Sequence, residues 1–260
     1  MIPVRVDAGA IHYEVAVHEL PVSSGLAADG AGVVVVVGGS GPAPSVTIEQ
    51  SARVVLVAGD PDASVADLGR IGRSVPVILE RPRLRRDLVD DALAGRGHTR
   101  PALVSLECAA PPELMRSAVR DAVGWGRVLT GRLTLASRSG GSAGWSALLE
   151  GPDGIPVLLR GTVSRVPEPW IRVLAVGEVT TEVLLDPARR QSVTTLTRNG
   201  RTIAPARYET AERLALRRAL QVAAGSPDPD DLAALQADTV LAEQVLDLRD
   251  GSSQRPHKPA

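Results

Sequence analysis

Short unbroken β-branched runs dominate the first hundred residues. "VVVVV" at 33–37, "RVVLVAG" at 53–59 and "VPVILERP" at 75–82 are too brief for helices and too uniformly apolar for half-exposed strands. This is the pattern of parallel strands covered on both faces. Upstream, Ile11, Tyr13, Val15 and Val17 alternate with His12, Glu14, Ala16 and His18, so residues 1–20 are predicted to be a half-exposed strand with His12 and His18 on its outer face. In "RRDLVDDALAGRG" the residues Leu88, Val89, Ala92 and Leu93 form a narrow apolar stripe that closes at Gly95, which predicts a helix. Together these elements predict a small parallel α/β layer.

From residue 112 the pattern changes. "PPELMRSAVRDAVGWG" carries Leu114, Met115, Ala118, Val119, Ala122 and Val123 at helical spacing, with prolines at its start and Gly124 as its expected end. Alternating segments follow: "GRVLTGRLTLAS" with Leu129, Gly131, Leu133 and Leu135 on one side, then "WSALLEG" and "IPVLLRGTV" flanking a "PDG" turn. "WIRVLAVG", "TEVLLDP", and "SVTTLTR" and "RTI" around Asn199-Gly200 continue the series, giving about six antiparallel strands between residues 127 and 204. Two closing helices are expected within 210–248, one presenting Leu216, Ala219, Leu220 and Ala223 and the other Leu232, Leu235, Ala242 and Leu246. The expected fold is therefore α/β: a truncated Rossmann-like parallel sheet domain at 1–105, an α+β domain with a largely antiparallel open sheet at 106–249, and a polar tail at 250–260.

Composition narrows the function classes. In 260 residues, 44% are apolar, enough for a sizeable core, while 29 basic and 30 acidic side chains nearly cancel. No summed field gathers nucleic acid, and with no Phe, three Trp and two Tyr there are few platforms on which bases could stack. Cys108 is the only cysteine, so a disulfide framework and a thiolate metal cage are both excluded. The start "MIPVRVDAGA" lacks a basic segment followed by an apolar one, and no apolar run is long enough to span a bilayer; a cytoplasmic location and no membrane partner are expected.

Three stretches carry a family resemblance. "VPVILERPRLRRDLVDDALAG" is similar to a strand ending in Glu-Lys-Pro followed by a helix. "PALVSLECAAPPELMRSAVRDAVGWGRVLTGRLTLAS" is similar to the next strand, its helix and a G-x-hydrophobic-G lead into a C-terminal sheet, and "LALRRALQVAAGSPDPDDLAALQADTVLAEQVLDL" to a closing helix pair. In this order they resemble the glucose-fructose oxidoreductase and inositol dehydrogenase family (Gfo/Idh/MocA). The resemblance implies a nicotinamide dinucleotide on the Rossmann half, a catalytic lysine in Glu-Lys-Pro, a proton-transferring histidine, and association through the open C-terminal sheet.

The residues depart from that pattern at each chemical position. "VVVVVGGSGPAPS" supplies Gly39 and Gly41 of a G-x-G-x-x-G turn, but Pro42 and Pro44 remove backbone donors from the place where phosphates would sit. Asp60 stands 21 positions after Gly39, where a ribose hydroxyl would be received. Two registers are open. Either "VVVVV" is the first strand and residues 1–32 are a preface, or it is a later strand and its turn is not the fingerprint. Arg81 between Glu80 and Pro82 matches the lysine position; it keeps the charge but does not exchange a proton. Glu80 and Arg81 are thus the candidate catalytic pair, or else a structural ion pair. The four histidines are His12, His18, His98 and His257, so the stretch 99–256 holds none, and the helix that bears the family's histidine appears deleted.

Other chemistry ranks below this. Cys108 is read as a buried structural thiol, and no histidine spacing supports a metal site. The first functional reading is a non-redox relative, with no cofactor expected, acting as a homo-oligomer or as the partner of an active homologue through its C-terminal sheet. The second is an NAD(P)-dependent oxidoreductase of a sugar-like or imine substrate, with Gly39, Gly41 and Asp60 holding the cofactor and Arg81 orienting the substrate. A cofactor-independent isomerase or cyclase with Glu80 or Glu107 as base is a variant of the second.

Overall fold

A computed structural model describes residues 1–7, 10–20, 23–27, 32–38, 52–59, 65–187, 191–227 and 229–246. The chain forms two compact units, Met1–Arg85 with Arg207–Gln236, and Arg86–Ala206 with Ala237–Ala260. They interleave in sequence instead of meeting at residue 105, because the closing helix α5 (Ala211–Ala223) packs on the first sheet and helix α3 (Arg86–Arg96) on the second.

The first unit is built on five strands, β1 (Ile2–Val6), β2 (Ser24–Leu26), β3 (Val34–Gly38), β4 (Val54–Ala58) and β5 (Val77–Leu79). Their order is β2-β1-β3-β4-β5, and every neighbouring pair is parallel. The valine runs are buried on both faces, as the sequence predicts. Val34, Val36, Val54 and Leu56 pack with α1 (Tyr13–His18) and α5 on one face. Val35, Val37, Val55 and Val57 pack on the other with Leu68 and Ile71 of α2 (Val65–Ile71) and Leu235 of α6 (Asp231–Leu246). Alternate residues of one strand thus feed two cores.

The single strand expected over residues 1–20 is not formed. The segment is β1, a turn and α1, and the reason lies in its spacing. Ala10, Tyr13, Ala16 and Val17 are the buried positions, the period of a helix, whereas Ile11 and Val15 are 64% and 62% exposed. Alternation of apolar types concealed a helical face made partly of alanine. His12 and His18 accordingly flank a short helix, not a strand face. Residues 1–26 are no preface either, since β1 lies between β2 and β3.

The second unit is an eight-stranded sheet ordered β13-β12-β11-β10-β6-β9-β8-β7. Its strands are β6 (Leu103–Ala110), β7 (Thr134–Gly140), β8 (Gly144–Glu150), β9 (Pro156–Val163), β10 (Trp170–Val176), β11 (Thr180–Leu185), β12 (Ser192–Thr197) and β13 (Gly200–Ile203). All pairs are antiparallel except β6 with β9. Helices α3 and α4 (Met115–Thr130) cover one face, and the other is open. β6, read as the last strand of the first domain, is a central strand of this sheet.

A second correction concerns where α4 ends. It runs through Gly124 and Gly126 to Thr130 and stops at Gly131, whose φ of 99° is a left-handed conformation. Leu129, read as a strand residue, belongs to the helix. Gly126 is a packing residue: a Cβ there would lie 2.8 Å from Cδ1 of Leu133 and 3.1 Å from Cδ1 of Leu106. Buried Arg96 completes the α3 side by donating to the carbonyls of Ala175 and Val179 and to Oγ1 of Thr181.

Candidate functional site at the carboxyl edge of the parallel sheet

Chain order places a topological switch in the first sheet. From β1 the chain steps to β2 on one side and then crosses to β3 on the other, so the crevice outside the carboxyl ends of β1 and β3 is where an open parallel sheet of this kind takes a ligand. Of the two registers open in the sequence, the structure selects the second: "VVVVV" contributes a later strand, and the first βα turn is the one after β1. Gly39, Gly41 and Asp60, with Pro42 and Pro44, lie outside the described residues.

The first turn reads Asp7-Ala8-Gly9-Ala10-Ile11-His12. Against G-x-G-x-x-G, Asp7 stands in the first glycine position and His12 in the third, and only Gly9 matches. The Asp7 amide donates to the carbonyl of Val36 at 2.9 Å, and its carboxylate accepts from Nε of Arg5 at 3.2 Å. A carboxylate therefore begins the turn that a dinucleotide-binding fold reserves for close approach to a pyrophosphate.

Along the same edge the chain leaves β5 at Glu80, which is 5% exposed. Its Oε2 accepts the phenolic proton of Tyr13 at 2.6 Å and the backbone N–H of Gly59 at 2.7 Å. Gly59, at φ 71°, is the left-handed residue directly after β4, so one oxygen of Glu80 links the exit of β4 to helix α1. Burial pushes the Glu80 carboxyl above its ordinary range; the bonds from Tyr13 and Gly59 act in the opposite direction, Glu212 adds to the rise and His12 subtracts from it. Burial, reinforced by the adjacent Glu80 charge, also drives the Tyr13 phenol far above its usual value. At neutral pH, Tyr13 is a fixed donor.

Arg81, the residue in the lysine position, is 9% exposed just beyond β5. The structure therefore brings Glu80 and Arg81 to the carboxyl edge, as expected of consecutive residues there, but gives Glu80 a phenol and a backbone amide as partners. Tyr13 and Asp7 are the residues that sequence reasoning missed. A helical reading of Ala10, Tyr13 and Val17 would have found the first, and counting β1 as the opening strand the second.

The remaining candidates lie in the second unit. Cys108 is buried on β6, and desolvation pushes its thiol up to about 12, so it is no nucleophile at neutral pH. Glu107 alternates with it on the open face of the sheet. Among the described residues, no group of three His, Cys, Asp or Glu side chains is placed to hold a metal, and no helix is long and apolar enough to cross a membrane.

No protein-family profile matches the chain, and no curated protein sequence matches it. Solved structures do. UDP-N-acetylglucosamine 3-dehydrogenase GnnA from Acidithiobacillus ferrooxidans superposes with a TM-score of 0.66 at 15% identity, covering 94% of this chain and 95% of that one. The dehydrogenase MviM from Clostridium difficile gives 0.68 at 7% identity, covering 94% and 98%. KijD10, a 3-ketoreductase from Actinomadura kijaniata in complex with NADP, gives 0.57 at 13% identity, covering 94% and 96%. At such identities the likeness is one of fold, and the fold is that of the Gfo/Idh/MocA-type dehydrogenases.

Proposed function

We propose that this chain is a non-redox relative of the Gfo/Idh/MocA-type oxidoreductases that works as a binding or partner subunit through its C-terminal sheet. The Glu80 cluster carries the reading. A dinucleotide bound at the carboxyl edge is anionic and needs free backbone donors there. Here a buried carboxylate takes the Gly59 amide, and Asp7 occupies the first position of the turn after β1. Arg81 in place of lysine and the absence of histidine from residues 99–256 remove the expected proton-transfer groups.

Isothermal titration of the full chain with NADH and NADPH tests this directly. No saturable heat is expected up to millimolar cofactor. Micromolar binding of either overturns the reading.

One observation favours a second reading, an NAD(P)-dependent oxidoreductase of a sugar-like or imine substrate: KijD10, of the same fold, is in complex with NADP. On that reading Gly39, Gly41 and Asp60 hold the cofactor and Arg81 orients the substrate. It requires enhanced NADPH fluorescence on binding that is lost in Asp60→Ala.

A further inference from the structure

The open face of the second sheet carries a hollow that the reading above does not use. Its volume is about 440 Å3, and Glu107, Ser139, Ser146, Arg160, Thr162 and Trp170 contribute to its lining. Strand register explains why it exists. Ser139, Ser146, Arg160, Glu107 and Arg172 are successive cross-strand neighbours from β7 to β10. Two residues along, Gly144, Thr162, Ala109 and Trp170 form the next row on the same face. Gly144 has no side chain and Ala109 only a methyl, so this second row is a low floor between the indole of Trp170 and the polar first row.

The charges are distributed unevenly. Arg172 is held by Glu182 at 2.8 Å and lies 4.0 Å from Glu107. Arg160 makes no ion pair among the described residues, although it stands across from Glu107. The Ser139 and Ser146 hydroxyls bond each other at 3.0 Å, which uses one proton and leaves the other to donate. An unpaired guanidinium, a carboxylate, three hydroxyls and an indole thus line one concave surface.

We propose that this hollow binds a small polyhydroxylated monocarboxylate, of the uronate class. The ligand carboxylate pairs with Arg160, whose planar fork suits it. Ring hydroxyls donate to Glu107 and exchange hydrogen bonds with Ser139, Ser146 and Thr162, and the apolar face of the ring lies against Trp170. The same groups reject two alternatives. A phosphorylated sugar brings a second negative charge beside Glu107. An aromatic acid without hydroxyls strips water from Glu107 and the hydroxyl groups and returns no hydrogen bond.

Isothermal titration of the full chain with D-glucuronate is the test, with D-glucose, glucose 6-phosphate and benzoate as comparators. Saturable binding of glucuronate is expected, tighter than any comparator. Arg160→Gln should weaken it at least about tenfold by removing a charge-assisted pair, and Trp170→Leu should weaken it while both variants keep the parent's far-ultraviolet circular dichroism. Absence of saturable heat at millimolar glucuronate overturns the proposal, as does undiminished binding by Arg160→Gln or equal affinity for glucose or benzoate. The nicotinamide titration is a separate measurement at the other unit, so either proposal fails without the other.

Discussion

Glu80 is the residue on which unit one turns. It is buried, yet its carboxylate has two donors on one oxygen, from Tyr13 and from Gly59. Tyr13→Phe removes one donor without opening space, and the loss of a hydrogen bond to a buried carboxyl is expected to cost about 2 kcal/mol in urea unfolding. The pH dependence has a definite sign. The folded-state pKa of Glu80 lies above its ordinary value of 4.5, so its contribution is fully present below that value and is lost as pH rises through the folded-state pKa. Glu80→Gln should therefore flatten the fall in stability above pH 4.5 that the parent shows. An unchanged slope would remove Glu80 as its source. The sequence pointed to Glu80 through its neighbour Arg81, but nothing in it pointed to Tyr13, 67 residues away.

At the scale of elements, α4 and α6 show how tertiary contact overrides punctuation. Gly124 reads as a helix end, yet α4 continues through it, and Gly126 brings the helix close to β6 and Leu133. The helix is then tied to α6 by a bidentate pair, Nε and Nη2 of Arg127 with Oδ1 and Oδ2 of Asp238, at 2.7 and 3.0 Å. Asp238 is fully buried, so Arg127→Ala strips a buried carboxylate of this partner and is expected to cost about 3 kcal/mol. Chemical denaturation measures it, and a loss under about 1 kcal/mol would class the pair with ordinary surface bridges. The sequence marks both residues only as charges on amphipathic helices. Their pairing across 111 residues is a product of the fold.

At the scale of the whole molecule, the open face of the eight-stranded sheet presents Leu148 and Leu158 as directly paired neighbours, with Leu103 and Val176 paired nearer the other end of β6 and β10. On the partner-subunit reading this face is covered in solution. Leu158→Glu, two residues from Arg160 on the same face, should then shift the sedimentation coefficient from an oligomer toward a monomer while leaving the circular dichroism unchanged. A parent chain that sediments as a monomer, alone and with an active homologue, sinks the subunit reading.

The residue order by itself determined the classes of element and most of their sequence: valine runs buried on two faces, an antiparallel series with Asn199-Gly200 at a hairpin, and closing helices. These follow from local periodicity and turn chemistry, which are written in consecutive residues. It also determined which chemistry is missing, since histidine and lysine positions need no coordinates to count. Tertiary structure alone decided that residues 1–20 are strand, turn and helix, that β1 and not the valine run opens the sheet, and that β6 belongs to the second unit. Strand order and pairing depend on contacts between residues distant in sequence, and periodicity carries no record of them. The site followed suit: Arg81 and Glu80 were legible because they are adjacent, whereas the Tyr13–Glu80–Gly59 cluster came into being only when α1, β4 and β5 met at one edge.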